Sequence, residues 1–148
     1  MSLKEKLTSD LKTALKARDE LKLSTIRSLQ SGIKYKEIEL RRELDEGEII
    51  SLIATQIKKN TEAAELFDKG GRADLSGKER KEIGILTAYL PEQASEEDLR
   101  LRVREVITET EAQGAKDLGK VMKILIPEFR GKADSNLIKS LAMEYLNS

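Results

Sequence analysis

Apolar side chains recur at three- and four-residue steps along nearly the whole chain, and nowhere is there the strict alternation of a half-buried strand. The spacing predicts a first helix over residues 3–18, with Leu3, Leu7, Leu11 and Leu15 in one stripe and Ser2 with Glu5 as a capping box. Asp19 reads as the N-cap of a long second helix that buries Ile26, Leu29, Ile33, Leu40 and Leu44. A third helix starts at Asp45 with Glu48, carries Ile49, Ile53, Ile57, Ala64 and Phe67, and ends at Gly70-Gly71. Ser76 with Glu79 reads as the capping box of a fourth, on Ile83, Leu86, Tyr89 and Leu90. Gly84 inside it costs about 1 kcal/mol of helix propensity, which suggests a close helix crossing. Pro91 stops this helix, because the residue before proline is pushed out of the α region, and PEQAS at 91–95 reads as a linker.

Three shorter helices follow. Ser95 with Asp98 opens one on Leu99, Val103, Val106 and Ile107, ended by Gly114. Asp117 reads as the cap of the next, on Leu118, Val121, Met122 and Leu125, broken at Pro127. Asp134 or Ser135 caps the last, on Leu137, Ile138, Leu141 and Tyr145. The expected architecture is all-α and two-lobed: a bundle of about four helices over residues 1–91, then a three-helix tail lobe over 92–148.

Composition narrows the chemistry. Cysteine and histidine are both absent, which removes disulfides, thiol nucleophiles, Cys/His zinc sites and the commonest general base near neutral pH. Neither a cofactor nor a metal is expected. Apolar residues make up 39% and charged residues 36%, and no apolar run approaches the length that spans a bilayer. The opening MSLKEKLTSDLK is charged throughout, unlike a secretory or transit segment, so the expected setting is the cytoplasm, away from membranes.

Basic and acidic residues balance at 27 each, so no large positive field surrounds the chain. Residues 116–132 nevertheless carry Lys116, Lys120, Lys123, Arg130 and Lys132 against Asp117 and Glu128, a local net of +3. Lysines three or four apart share a helix face, a pattern suited to phosphate contact as well as to plain solvation. Aromatics are only 3%, so no stacking platform for single-stranded bases is expected, and any RNA contact should read backbone shape.

Two other patterns carry less. GAKDLGKV at 114–121 matches a phosphate-binding loop until Val121, which replaces the required Ser or Thr, and no buried strand precedes it. The carboxylates from Glu37 to Glu48 interleave with Lys34, Lys36, Arg41 and Arg42, as on a solvated helix face. Gln56 and Asn60 read as hydrogen-bonded polar residues at the core boundary.

KGGRADLSGKERKEIGILTAYLPEQAS at 69–95 and DLGKVMKILIPEFRGKADSN at 117–136, with the opening SLKEKLTSDLKTALKARDELKLSTIRSL, resemble the YqeY family across essentially the whole chain. That family is similar to the C-terminal helical and tail domains of the B subunit of glutamine-dependent tRNA amidotransferase. The resemblance implies a two-lobed helical fold and a module that contacts the outer corner of tRNA without the catalytic body. It implies tRNA and amidotransferase-type proteins as partners, and an inherited label of carbon–nitrogen ligase with glutamine as amido donor. Gly71, Arg72, Asp74 and Leu75 match its turn motif, and Tyr89, Leu90 and Pro91 its hinge block. Asp117, Gly119, Lys120, Met122, Gly131, Lys132 and Asp134 match its tail block. Asn60-Thr61 and Ala63 depart from the arginine and Asp-Ser-type residues expected in many relatives, so a polar site that those relatives build on the third helix is not expected here. Beside this reading stand a protein-interaction adaptor and a glutamine-dependent amide transferase, the latter with no residue set to perform it.

Overall fold

The computed structural model describes residues Met1–Ser148 and contains seven α-helices, one 3-10 turn and no strand. The fold is all-α. Its contacts divide the chain into two compact units, Met1–Leu90 and Pro91–Ser148.

The first unit holds α1 (Leu3–Ala17), α2 (Glu20–Leu40), α3 (Glu46–Lys69) and α4 (Ala73–Thr87). α1 pairs with α2 and α3 with α4, while α2 also packs on α3 and α4. Leu7, Ile26, Leu29, Ile33, Ile49, Ile53, Leu86 and Tyr89 fill the space between them. Several helix starts follow local chemistry. Asp19 accepts from the Lys22 N–H, and Asp45 with Glu48 makes a complete capping box. Ser2 accepts from the Glu5 N–H, but the free Leu3 N–H is taken by the Glu46 carboxylate of α3 rather than by the Glu5 side chain.

Other boundaries differ from the sequence expectation. Ser76 is not a cap: α4 begins a turn earlier, at Ala73, and Ser76 is buried with its hydroxyl on the Ala73 carbonyl. Gly71, at φ 72°, closes α3 in a double turn, where the Arg72 N–H reaches Phe67 O at 2.8 Å, and this delivers the chain directly into α4. The Arg72 guanidinium then holds Asp74 through contacts of 3.1 and 3.2 Å. Gly84 marks no crossing, since a Cβ there would meet open space. The leucine stripe of α1 also drifts: Leu7 is buried but Leu15 is exposed, because four-residue steps advance about 40° around a helix each time. Leu40 is exposed as well, while Leu44 reaches the core from the connection after α2.

The connection from α2 to α3 is tied by Arg42, whose two terminal nitrogens grip Glu48 at 2.7 and 2.8 Å. This grip, with the Asp45 N–H, holds the Glu48 carboxyl below the usual carboxylate range, at about 2. A depressed folded value means that the contribution is present above the ordinary range and disappears as pH falls through about 2. Denaturant titrations between neutral and strongly acidic pH should therefore show a shallower loss of stability for Glu48→Gln than for the parent. Parallel curves would remove the argument.

The second unit holds α5 (Glu96–Thr110), a 3-10 turn at Ala115–Asp117, α6 (Leu118–Glu128) and α7 (Ser135–Leu146). Each helix packs on the other two around Leu99, Val103, Val106, Val121, Leu125, Ile138, Leu141 and Ala142. Residues 91–95 have no regular structure but belong firmly to this unit. The Ala94 N–H donates to Lys132 O at 2.9 Å, and the Gln93 amide donates to Gly131 O at 2.6 Å.

Three details here correct the sequence reading. α5 ends at Thr110 with Glu111 left-handed at φ 55°, three residues before Gly114. Asp117 does not cap α6; its carboxylate turns back to accept from the Gln113 N–H at 2.6 Å, closing the 3-10 turn. Pro127 does not break α6 but rides in its last turn, with the helix continuing to Glu128. No helix is long and apolar enough to cross a membrane.

Candidate nucleic-acid interface of the tail lobe

All five cations singled out in the second unit are exposed: Lys116, Lys120, Lys123, Arg130 and Lys132. None of them takes part in an ion pair. The buried side of α6 explains the placement of two. Val121 and Leu125 are fully buried, so Lys120 and Lys123, about 60° apart at 100° per residue, face the solvent together. Ile124, 37% exposed, lies on the same side. This face is therefore cationic with an apolar edge.

Lys116 precedes α6 on the 3-10 turn, and Arg130 and Lys132 follow it in the connection to α7. Gly131, at φ 75°, makes that connection possible, since the left-handed region penalises residues with a Cβ. The clip from Gln93 and Ala94 then pins the backbone of Gly131 and Lys132 while the Lys132 ammonium stays free. Asp134 starts α7 by accepting from the Asn136 N–H at 2.9 Å. Gly119 has open space where a Cβ would stand, so packing within the unit does not require glycine there.

The two acids of the segment do not neutralise these cations. Asp117 is engaged by the Gln113 N–H, and Glu128 by Arg102 on α5, at 2.8 and 3.1 Å. Arg102 also reaches Glu105 and Glu109. Arg100 meets Glu96, Glu144 and the Tyr145 hydroxyl. The arginines of α5 thus knit the unit together and the cations on α6 and its flanks remain available. Sequence spacing gave no sign of the Arg102–Glu128 pair, whose members are 26 residues apart. Lys139 on α7 is a further exposed, unpaired cation that the sequence reading passed over.

The GAKDLGKV segment is not a phosphate-binding loop, because a helix end and a 3-10 turn precede α6 where a strand would be needed. In the first unit, the hinge-block Tyr89 is buried and donates its hydroxyl hydrogen to Asp10 at 2.5 Å. Burial, and then the Asp10 carboxylate, push this phenol well above its ordinary value. Its role is to tie the end of α4 to α1.

In comparison with known proteins, the family model described as "Yqey-like protein" matches residues 4–146. The chain belongs to the YqeY family. Among curated YqeY-type relatives, a Lachancea thermotolerans protein is 40% identical over 106 residues, covering 70% of this chain and 57% of its own length. A Kluyveromyces lactis protein is 39% identical over 107 residues, with 70% and 57% covered. A Saccharomyces cerevisiae protein is 31% identical over 145 residues, with 96% and 74% covered. Each carries the name "Altered inheritance of mitochondria protein 41, mitochondrial". The chain thus spans little more than half the length of the first two relatives.

These names overturn the cytoplasmic expectation, for the relatives are mitochondrial proteins. The expectation drew on the lack of cysteine, of an apolar span and of an acid-poor opening. None of those features is specific to the cytosol, and a helical fold carries no address of its own.

Proposed function

We propose that the tail lobe of this YqeY-family chain is a phosphate-contacting module that holds a folded RNA, with tRNA as the ligand class suggested by the likeness to the amidotransferase B subunit. The chain acts as a binding module within such an assembly rather than as the catalyst of amide transfer. The observation that carries the reading is the set of five exposed cations without an ion pair, in a unit where Arg100 and Arg102 are engaged by carboxylates and Arg104 lies over the Tyr145 ring. A folded RNA is favoured over a single strand at this lobe because no aromatic side chain stands beside Lys120 and Lys123 on α6.

Binding of bulk tRNA should weaken with salt, by roughly 0.7–0.9 in log K per log unit of salt for each phosphate neutralised. Lys120→Glu with Lys132→Glu should weaken tRNA binding more than about tenfold and flatten the salt slope by about 2. Both positions are exposed, so helicity and melting temperature should not change. Equal retention of tRNA by parent and double variant at low salt overturns the reading.

A further inference from the structure

We infer that the solvent face of α2 is a separate contact for single-stranded nucleic acid, with Tyr35 as the platform for an unpaired base and Arg27, Lys34 and Arg41 as its phosphate contacts. The contact lies in the first unit and stands independently of the tail-lobe reading.

Tyr35 is 73% exposed and Ile38 is 68% exposed, although the opposite side of the same helix buries Ile26, Leu29 and Ile33. At 100° per residue, Arg27, Ser31, Lys34 and Ile38 fall within about 60° of one another, with Tyr35 at their edge. Arg41, in the left-handed cap at φ 57°, ends the row. Arg27 and Lys34 are two turns apart, about 10.5 Å along the axis. All six residues are exposed, and none of the three cations makes an ion pair.

Two of the carboxylates nearest in sequence are engaged elsewhere. Glu37 is held by Lys4 and the Leu44 N–H, and Glu39 lies 3.8 Å from Lys36. Arg42, the next residue along, shows what an engaged cation looks like here, with both nitrogens on Glu48. The face therefore combines unneutralised positive charge with one uncovered aromatic ring, the two features by which proteins hold unpaired nucleotides. The low aromatic content of the chain had argued against any stacking platform; one exposed ring placed among cations supplies it. Two apolar side chains offer too little surface to seat in a bilayer interface, so a single strand is the occupant favoured over a lipid surface.

The test uses the full chain and fluorescein-labelled oligouridylate and oligothymidylate, followed by anisotropy at several salt concentrations. Tyr35→Ala should weaken both oligonucleotides by about tenfold, and Tyr35→Phe should restore binding because the ring is what stacks. Arg27→Gln with Lys34→Gln should lower the salt slope by about 1.4, at roughly 0.7 per phosphate on a single strand. Duplex RNA binding should not respond to Tyr35→Ala. The fold-loss caused by Tyr35→Ala should be the same in the parent and in the Lys120→Glu with Lys132→Glu background, which separates this contact from the tail lobe. Unchanged affinity in Tyr35→Ala overturns the inference, as does an equal loss in Tyr35→Phe. Tyr35-dependent capture by phosphatidylserine vesicles without oligonucleotide binding would overturn it in favour of a lipid surface. Circular dichroism of each variant should match the parent, since every substituted side chain is exposed.

Discussion

Leu125→Ala should strip hydrogen-exchange protection from α5, α6 and α7 while leaving α1 to α4 protected. Leu125 is fully buried at the centre of the tail core, against side chains from all three helices of that unit. Removing a leucine side chain from such a place costs about 2–5 kcal/mol, part lost transfer energy and part cavity. A unit of this size, Pro91–Ser148, has a total stability of about 3–9 kcal/mol at the usual value per residue. The substitution therefore removes much or all of what keeps the lobe folded. Leu125→Met, which preserves volume, should cost less than about 1.5 kcal/mol. If protection falls equally in both units, the lobes fold as one cooperative block and the division at Leu90 has no thermodynamic meaning.

Asn60→Ala should destabilise the first unit by about 1–3 kcal/mol, measured by urea unfolding, with an unchanged dependence on urea concentration. The Asn60 side chain is nearly buried between α3 and α4 and joins two partners. Its carbonyl oxygen accepts from the Gln56 amide at 2.6 Å, and its own amide donates to Glu82 at 2.8 Å. Truncation leaves the half-buried Glu82 carboxylate without its donor, and the desolvation cost then stands uncompensated. Asn60→Asp is the sharper form of the test. It places a second carboxylate against Glu82, in a region where burial, and then Glu82, already hold the Glu79 carboxyl above its ordinary value. Like charges there cannot both ionise cheaply, so Asn60→Asp should be worse than Asn60→Ala at neutral pH. It should recover as pH falls and one of the two carboxyls takes up a proton. An Asn60→Asp chain as stable as the parent at neutral pH would show that water reaches the cluster.

This cluster shows where reading from residues stopped short. Gln56 and Asn60 were legible as bonded residues at the core boundary, and every buried side-chain polar atom does have a partner. What the residues alone do not show is the third partner, because Glu82 arrives from α4, 22 residues away from Asn60. The candidate interface behaved similarly. The spacing of Lys120 and Lys123 on one helix face was readable, but their freedom from carboxylates was not. Tyr35 escaped attention because composition counts aromatics without saying which are uncovered.

The elements whose partners lie within one helical turn were already written in the chain. Asp19, Asp45, Ser95 and Asp134 accept from N–H groups two or three residues on, and Gly71 ends α3 by its own backbone freedom. Helix number and the all-α class follow from such short-range chemistry and from the 3.6-residue period. The absence of histidine and cysteine likewise needs no coordinates. Packing decided the rest. Arg80 with Asp68, Arg100 with Glu144 and Arg102 with Glu128 meet only because separate helices are pressed together. Those meetings settle which charges are consumed inside the protein and which are left facing outward, and a linear spacing rule holds no information on that choice.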